Sequence, residues 1–136
     1  MAHAMSEGFR RWLEELTAEM GTIGKLTPLE RIQRASEIVA KGVARHTGLV
    51  RAFLAAVARA PHDDDLRETM AESYRESRAT VAQLLGLGAG EDADGAATLL
   101  LATFDGLLIQ AVLDPDGFAP EAILGGIAQL TAAAQQ

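Results

Sequence analysis

Two segments near the end of this chain constrain its fold most, because they carry almost no charge. Between Ala96 and Leu113 the only charged residue is Asp105, and between Ala122 and Ala134 there is none. Both have helical spacing. Pro115 ends the first, and Pro120 opens the second, with Phe118 and Ile123 placed as a hydrophobic staple. A helix apolar nearly all round must be covered on more than one side. In a chain of 136 residues, the domain's own core can cover one side, and the other calls for a partner. Gly106, Gly125 and Gly126 interrupt these helices, each at a cost of about 1 kcal/mol relative to Ala. That cost makes sense where two backbones come close. The sequence therefore predicts a homodimer whose helices over Ala96–Leu113 and Pro120–Gln135 form a four-helix bundle, two from each copy. The expected interface residues are Gly106, Ile109, Leu113, Ile123, Gly126, Ile127 and Leu130. A single central helix wrapped by the others would explain the first segment but not the second.

Four further helices precede these, giving an all-α, six-helix bundle. The first is expected over Ser6–Met20, with Phe9, Trp12, Leu13, Leu16 and Met20 on one stripe. Gly21 and Gly24 then loosen the chain. Thr27-Pro28-Leu29-Glu30 is a capping box with Pro at the first helical position, and it opens a second helix. That helix turns Leu29, Ile32, Ser36, Val39 and Val43 inward and ends near His46-Thr47-Gly48. A third, shorter helix carries Leu49, Val50, Phe53, Leu54 and Val57. The fourth opens at His62-Asp63-Asp64-Asp65, where carboxylates suit the positive end of the helix dipole. It closes at Leu85-Gly86-Leu87 through a glycine C-cap. An acidic loop is expected from Gly88 to Gly95. Met1-Ala2-His3-Ala4-Met5 reads as an expression scar, with Met5 or Ser6 opening the natural part, and residues 6–136 are expected to form one domain.

The order of these elements carries a resemblance. Ala97-Thr98-Leu99-Leu100-Leu101-Ala102-Thr103-Phe104-Asp105-Gly106-Leu107-Leu108-Ile109-Gln110 is similar to the penultimate helix of tetracycline-repressor (TetR) family regulators. Thr27-Pro28-Leu29-Glu30-Arg31 and Leu66-Arg67-Glu68 resemble other helix starts in that family's C-terminal domain. Ser6-Glu7-Gly8-Phe9 resembles the junction that follows the family's N-terminal head, although no Lys stands between Ser6 and Glu7. The resemblance runs from Ser6 to the end. It implies a helical domain that binds a small effector and dimerises through its last two helices. It also implies a three-helix DNA-binding head before that domain, which this sequence does not contain. Effector binding would change the spacing of two such heads and release DNA.

Charge agrees with that reading. A formal net charge of -7 is the wrong sign for a phosphate-binding surface, so DNA is expected only through the missing head. With no cysteine there is no disulfide framework and no thiolate metal site, and a reducing, cytoplasmic setting is allowed. No uninterrupted apolar run reaches the ~18 residues of a membrane span, and the first residues, without a basic stretch followed by an apolar run, are not expected to act as a signal peptide.

The candidate chemistry is that of binding. His62-Asp63-Asp64-Asp65 matches no metal-loop spacing and reads as a cap, so no metal or cofactor is expected. His46 has no nucleophile pairing, and no enzyme activity is expected. Asp105 lies among Leu, Phe and Ile, where an unpaired charge is costly. It either bonds to a neighbouring helix, through Arg75, Arg78 or a hydroxyl, or edges an effector cavity and fixes a donor on the guest. The fourth helix alternates bulk with hydroxyls: Met70, Tyr74, Ser77 and Val81 share a face with Ser73 beside it. A largely apolar cavity is expected within the first five helices, with Trp12, Leu16, Phe53, Met70, Ser73, Tyr74, Ser77, Phe104 and Asp105 as ligand-binding residues. The alternative is that these side chains interdigitate and fill the space. The function expected is therefore effector sensing and dimerisation in a repressor-like regulator. A purely structural dimerisation module is the alternative, and a helical protein that sequesters a small molecule is a third reading.

Overall fold

A computed structural model describes residues 2–21 and 25–136, and among them the regular structure is entirely helical. The helices are α1 (Ala2–Gly21), α2 (Pro28–Arg45), α3 (Thr47–Arg59), α4 (Asp64–Leu84), α5 (Glu91–Leu113) and α6 (Pro120–Ala134). A 3₁₀ turn, Ala60–His62, joins α3 to α4.

The boundaries follow from backbone groups that need partners. At the start of α2 the Glu30 N–H donates to Thr27 Oγ1 at 3.3 Å, and the Thr27 N–H donates to Glu30 Oε2 at 2.7 Å. Asp63 caps α4, accepting the Leu66 N–H at 3.0 Å, so the acidic run is used for capping. Gly86 adopts φ +65°, and the Leu87 N–H turns back to the Ala82 carbonyl while Gly86 bonds Gln83. Leu87 then packs on the core, completing a Schellman stop. Arg31 also reaches this end, donating to the Leu84 carbonyl at 3.0 Å and tying α2 to α4.

Several boundaries differ from the sequence expectation. The first helix begins at Ala2 rather than Ser6, and Met5 is buried against Phe53, Ala56, Leu66 and Met70. Met5 stands one turn before Phe9 and extends the same stripe. Gly48 lies inside α3 instead of ending α2, and Val57 faces outward at 44% exposure. The fifth helix starts at Glu91, five positions before Ala96. Gly90, at φ 108°, breaks the chain just before it, and Glu91, Asp92 and Asp94 occupy the first turn, where the dipole favours them. Gly24 and the Leu29 side chain lie outside what is described.

α1 packs against α2, α3 and α4; α5 lies against α2, α3 and α4; α6 joins the body through α2. The main core unites Trp12, Leu16 and Met20 with Ile38, Val39 and Val43, Val50, Val81, Leu85, Ala97 and Leu108. By length and composition alone α5 could cross a membrane, its most apolar stretch having a mean hydropathy of 1.8. Here it forms one wall of the bundle, with much of its apolar surface uncovered by the chain itself.

One approach fixes how α1 sits on α2. A Cβ added at Gly42 would stand 2.8 Å from Trp12 Nε1 and 3.1 Å from its Cζ2, so the indole occupies the space a side chain would need. Gly42→Val should therefore displace Trp12 and cost about 1–3 kcal/mol by overpacking. Urea unfolding followed by circular dichroism measures this, and an unchanged midpoint would contradict it.

Candidate functional site

Five helices converge on one cavity. α1 contributes Met5, Phe9, Trp12, Leu13 and Leu16; α2 contributes Val39; α3 contributes Phe53. α4 supplies Met70, Ser73, Tyr74, Ser77 and Val81, and α5 supplies Leu101, Phe104, Asp105 and Leu108. The centre of a water-sized sphere has about 100 Å³ available here, well above what one water needs. The cavity is only partly enclosed. All nine side chains assigned to ligand binding from the sequence border it. Those not assigned, such as Phe9, Leu13, Val39 and Leu101, lie on the same inward stripes. Met5 was hidden by its place in an apparent scar.

The aromatic side chains are strung along the wall. The Trp12 ring lies 4.8 Å from His46 and 6.1 Å from Phe9. Phe9 meets Phe53 edge-on at 5.3 Å, and Phe53 lies 6.4 Å from Tyr74. Spacings of this kind favour edge-to-face and offset contacts.

The series ends on the one charged group among the described residues of the cavity lining. The Tyr74 hydroxyl donates to Asp105 Oδ2 at 2.5 Å. Of the partners considered for Asp105, the hydroxyl is the one found: Arg75 pairs with Glu68 and Arg78 with Asp94. Burial pushes the Asp105 carboxyl above the ordinary aspartate range, and the Tyr74 bond partly opposes that rise. The Tyr74 hydroxyl is pushed up as well, by burial first and then by the adjoining carboxylate. The pair presents a hydrogen-bond acceptor to an otherwise apolar space. Ser73 and Ser77, on the same helix as Tyr74, add two hydroxyls to the lining. His46 lies at the far end, between α2 and α3, with Nε2 3.5 Å from Glu15. Among the described residues no three His, Asp or Glu side chains gather as a metal site.

The residues assigned to an interface lie elsewhere. Leu113 and Leu130 are 77% and 74% exposed, Ile109 is exposed as well, and Ile123 and Ile127 are half-buried. A Cβ built on Gly106 or Gly126 meets nothing within 4 Å, so no close approach inside this chain requires either glycine. Leu99, 69% exposed, belongs to the same apolar face and was not singled out from the sequence.

A family model described as BetI-type transcriptional repressor, C-terminal, matches residues 28–135. No curated protein and no solved structure gives a match.

The raised carboxyl of Asp105 makes stability depend on pH. A folded-state pKa above the unfolded value means that the folded chain holds the proton more tightly, so stability falls as pH rises through that interval. Asp105→Asn should remove this part of the decline just above the usual aspartate range, as read from melting temperatures at stepped pH. Tyr74→Phe should cost about 1 kcal/mol by leaving the half-buried carboxylate without its donor, and should steepen the same decline. Identical pH profiles in all three proteins would refute the assignment.

Proposed function

Since this chain belongs to the BetI-type C-terminal domains of TetR-family transcriptional repressors, we propose that it is a sensing and dimerisation domain. It binds a largely apolar small molecule within each bundle and pairs with a second copy through α5 and α6. Its work is binding, with no turnover.

One observation supports joining the two activities. α5 has Leu101, Phe104, Asp105 and Leu108 on the cavity and Leu99, Ile109 and Leu113 exposed on its outer side. A guest that presses on Phe104 or Leu108 presses on the helix that a second copy would cover. α1 borders the same cavity through five side chains, so a guest also acts on the helix to which the family's head is joined. A guest binding in this way shifts an equilibrium between helix arrangements by the difference in its affinity for them. Its polar part is oriented by Asp105 or the α4 hydroxyls, and Met70 can adapt to its shape.

Sedimentation at micromolar concentration should give twice the chain mass of 14.4 kDa. Leu113→Glu with Leu130→Glu should return it to a monomer, and a wild-type monomer would defeat the dimerisation half of the proposal. For the cavity, Ser77→Leu is decisive. In an open cavity the added bulk should preserve or raise the melting temperature and abolish binding of the neutral fluorophore N-phenyl-1-naphthylamine. A loss of about 1–3 kcal/mol would show a filled core, and the domain would then be a structural pairing module.

A further inference from the structure

The cavity has a second void beside it. Between α1 and α4 an outer groove runs along the surface, and Phe9, Leu13, Ser73 and Ser77 line both the groove and the cavity. The two spaces therefore meet over these four side chains. The inner one is apolar, whereas the outer one is polar and carries Glu7, Glu14, Glu72 and Glu76 against Arg10. That arginine is already engaged: Glu7 accepts from it at 3.0 Å, and Glu14 accepts from it as well. Ser6, also on the groove, has a buried hydroxyl oxygen with no hydrogen-bond partner. Beyond this threshold the only charged side chain among the described residues of the cavity lining is another carboxylate, Asp105.

A molecule travelling from water to the cavity by this seam passes four glutamates against one arginine, with Glu72 and Glu76 outside that arginine's ion pairs, and then Asp105. We propose that the α1–α4 seam is the entrance to the cavity, and that its glutamates bar anionic molecules while admitting neutral and cationic ones. The inference rests on the cavity's being a binding site and adds the route and the charge class of its guests. The physical reason is that a cleft with an excess of one sign of charge beside low-dielectric walls focuses its field, and such fields change association rates by about ten- to a thousand-fold. Of the four threshold side chains Phe9 and Leu13 are bulky, so the width of the passage depends on Ser73 and Ser77 being small. Glu72 and Glu76 are exposed on α4 and outside the cavity, so they act on entry rather than on the bound guest.

Two probes of one skeleton test this on the full chain by stopped-flow fluorescence. N-phenyl-1-naphthylamine is neutral, and 8-anilinonaphthalene-1-sulfonate is the same ring system with an anionic group. The wild type should take up the neutral probe about tenfold faster or more. Glu72→Lys with Glu76→Lys should raise the sulfonate's association rate about tenfold at low salt and leave the neutral probe within about twofold. The gain should shrink at 1 M salt, where screening is nearly complete. Asp105→Asn serves as the contrast, because it should change dissociation and leave the salt-dependent association difference in place. Equal association rates of the two probes in the wild type would overturn the proposal, as would a double variant that leaves the sulfonate's rate unmoved. If neither probe binds the wild type, the binding reading fails first. If the neutral probe binds but the seam charges have no effect, only the entrance is wrong.

Discussion

From Ala96 to Leu113, α5 offers water a single carboxylate, and the arrangement of the other helices follows from how much of it they can cover. α2, α3 and α4 lie against one side, and Ala97 and Leu108 are buried there. The opposite side keeps Leu99 and Leu113 in water. Exposed apolar area of this extent is where one expects a partner surface, since the hydrophobic effect acts on whatever area remains uncovered. α6 does not relieve it, because it reaches the domain through α2. The demand for a second covering surface therefore persists in the folded chain.

The inner side of the same helix is incompletely filled, and the reason is again local. α4 presents Ser73 and Ser77 where aliphatic side chains would have interdigitated, and the rings of Phe9, Phe53 and Tyr74 meet at angles instead of stacking flat. Tyr74 and Asp105 satisfy each other, so the polar groups in this wall need no further packing to be tolerated. The result is a space bounded by rigid rings and one acceptor. It is also bounded by α1, whose seat on α2 is set by the indole of Trp12 over Gly42.

Much of this was legible beforehand, and what was missed has a physical pattern. The capping box at Thr27, the Asp63 cap and the Gly86 stop are local, so the sequence shows them directly. The inward stripes are periodic, and nine cavity-lining residues could be chosen from them because one face of a helix is readable without knowing its neighbour. Errors arose where the context was not periodic. Met5 looked foreign by composition, although it continues the Phe9 stripe. Glu91–Gly95 looked like a loop because of its glycine and acids, although those acids suit a first turn. The groove beside α4 could not be read at all. It joins side chains from Ser6 to Thr17 with others from Thr69 to Thr80, and no single segment records that they are neighbours.

Trp12 is the only tryptophan of the chain. Its ring borders the cavity, touches Phe9 and His46, and is almost wholly shielded from water. Indole emission follows the polarity of its surroundings, so this protein has one indole reporter, and it stands at the wall of the cavity. Any change in what fills that space alters the dielectric next to the ring. No other tryptophan contributes background, so the spectrum of the unlabelled chain is a direct gauge of cavity occupancy.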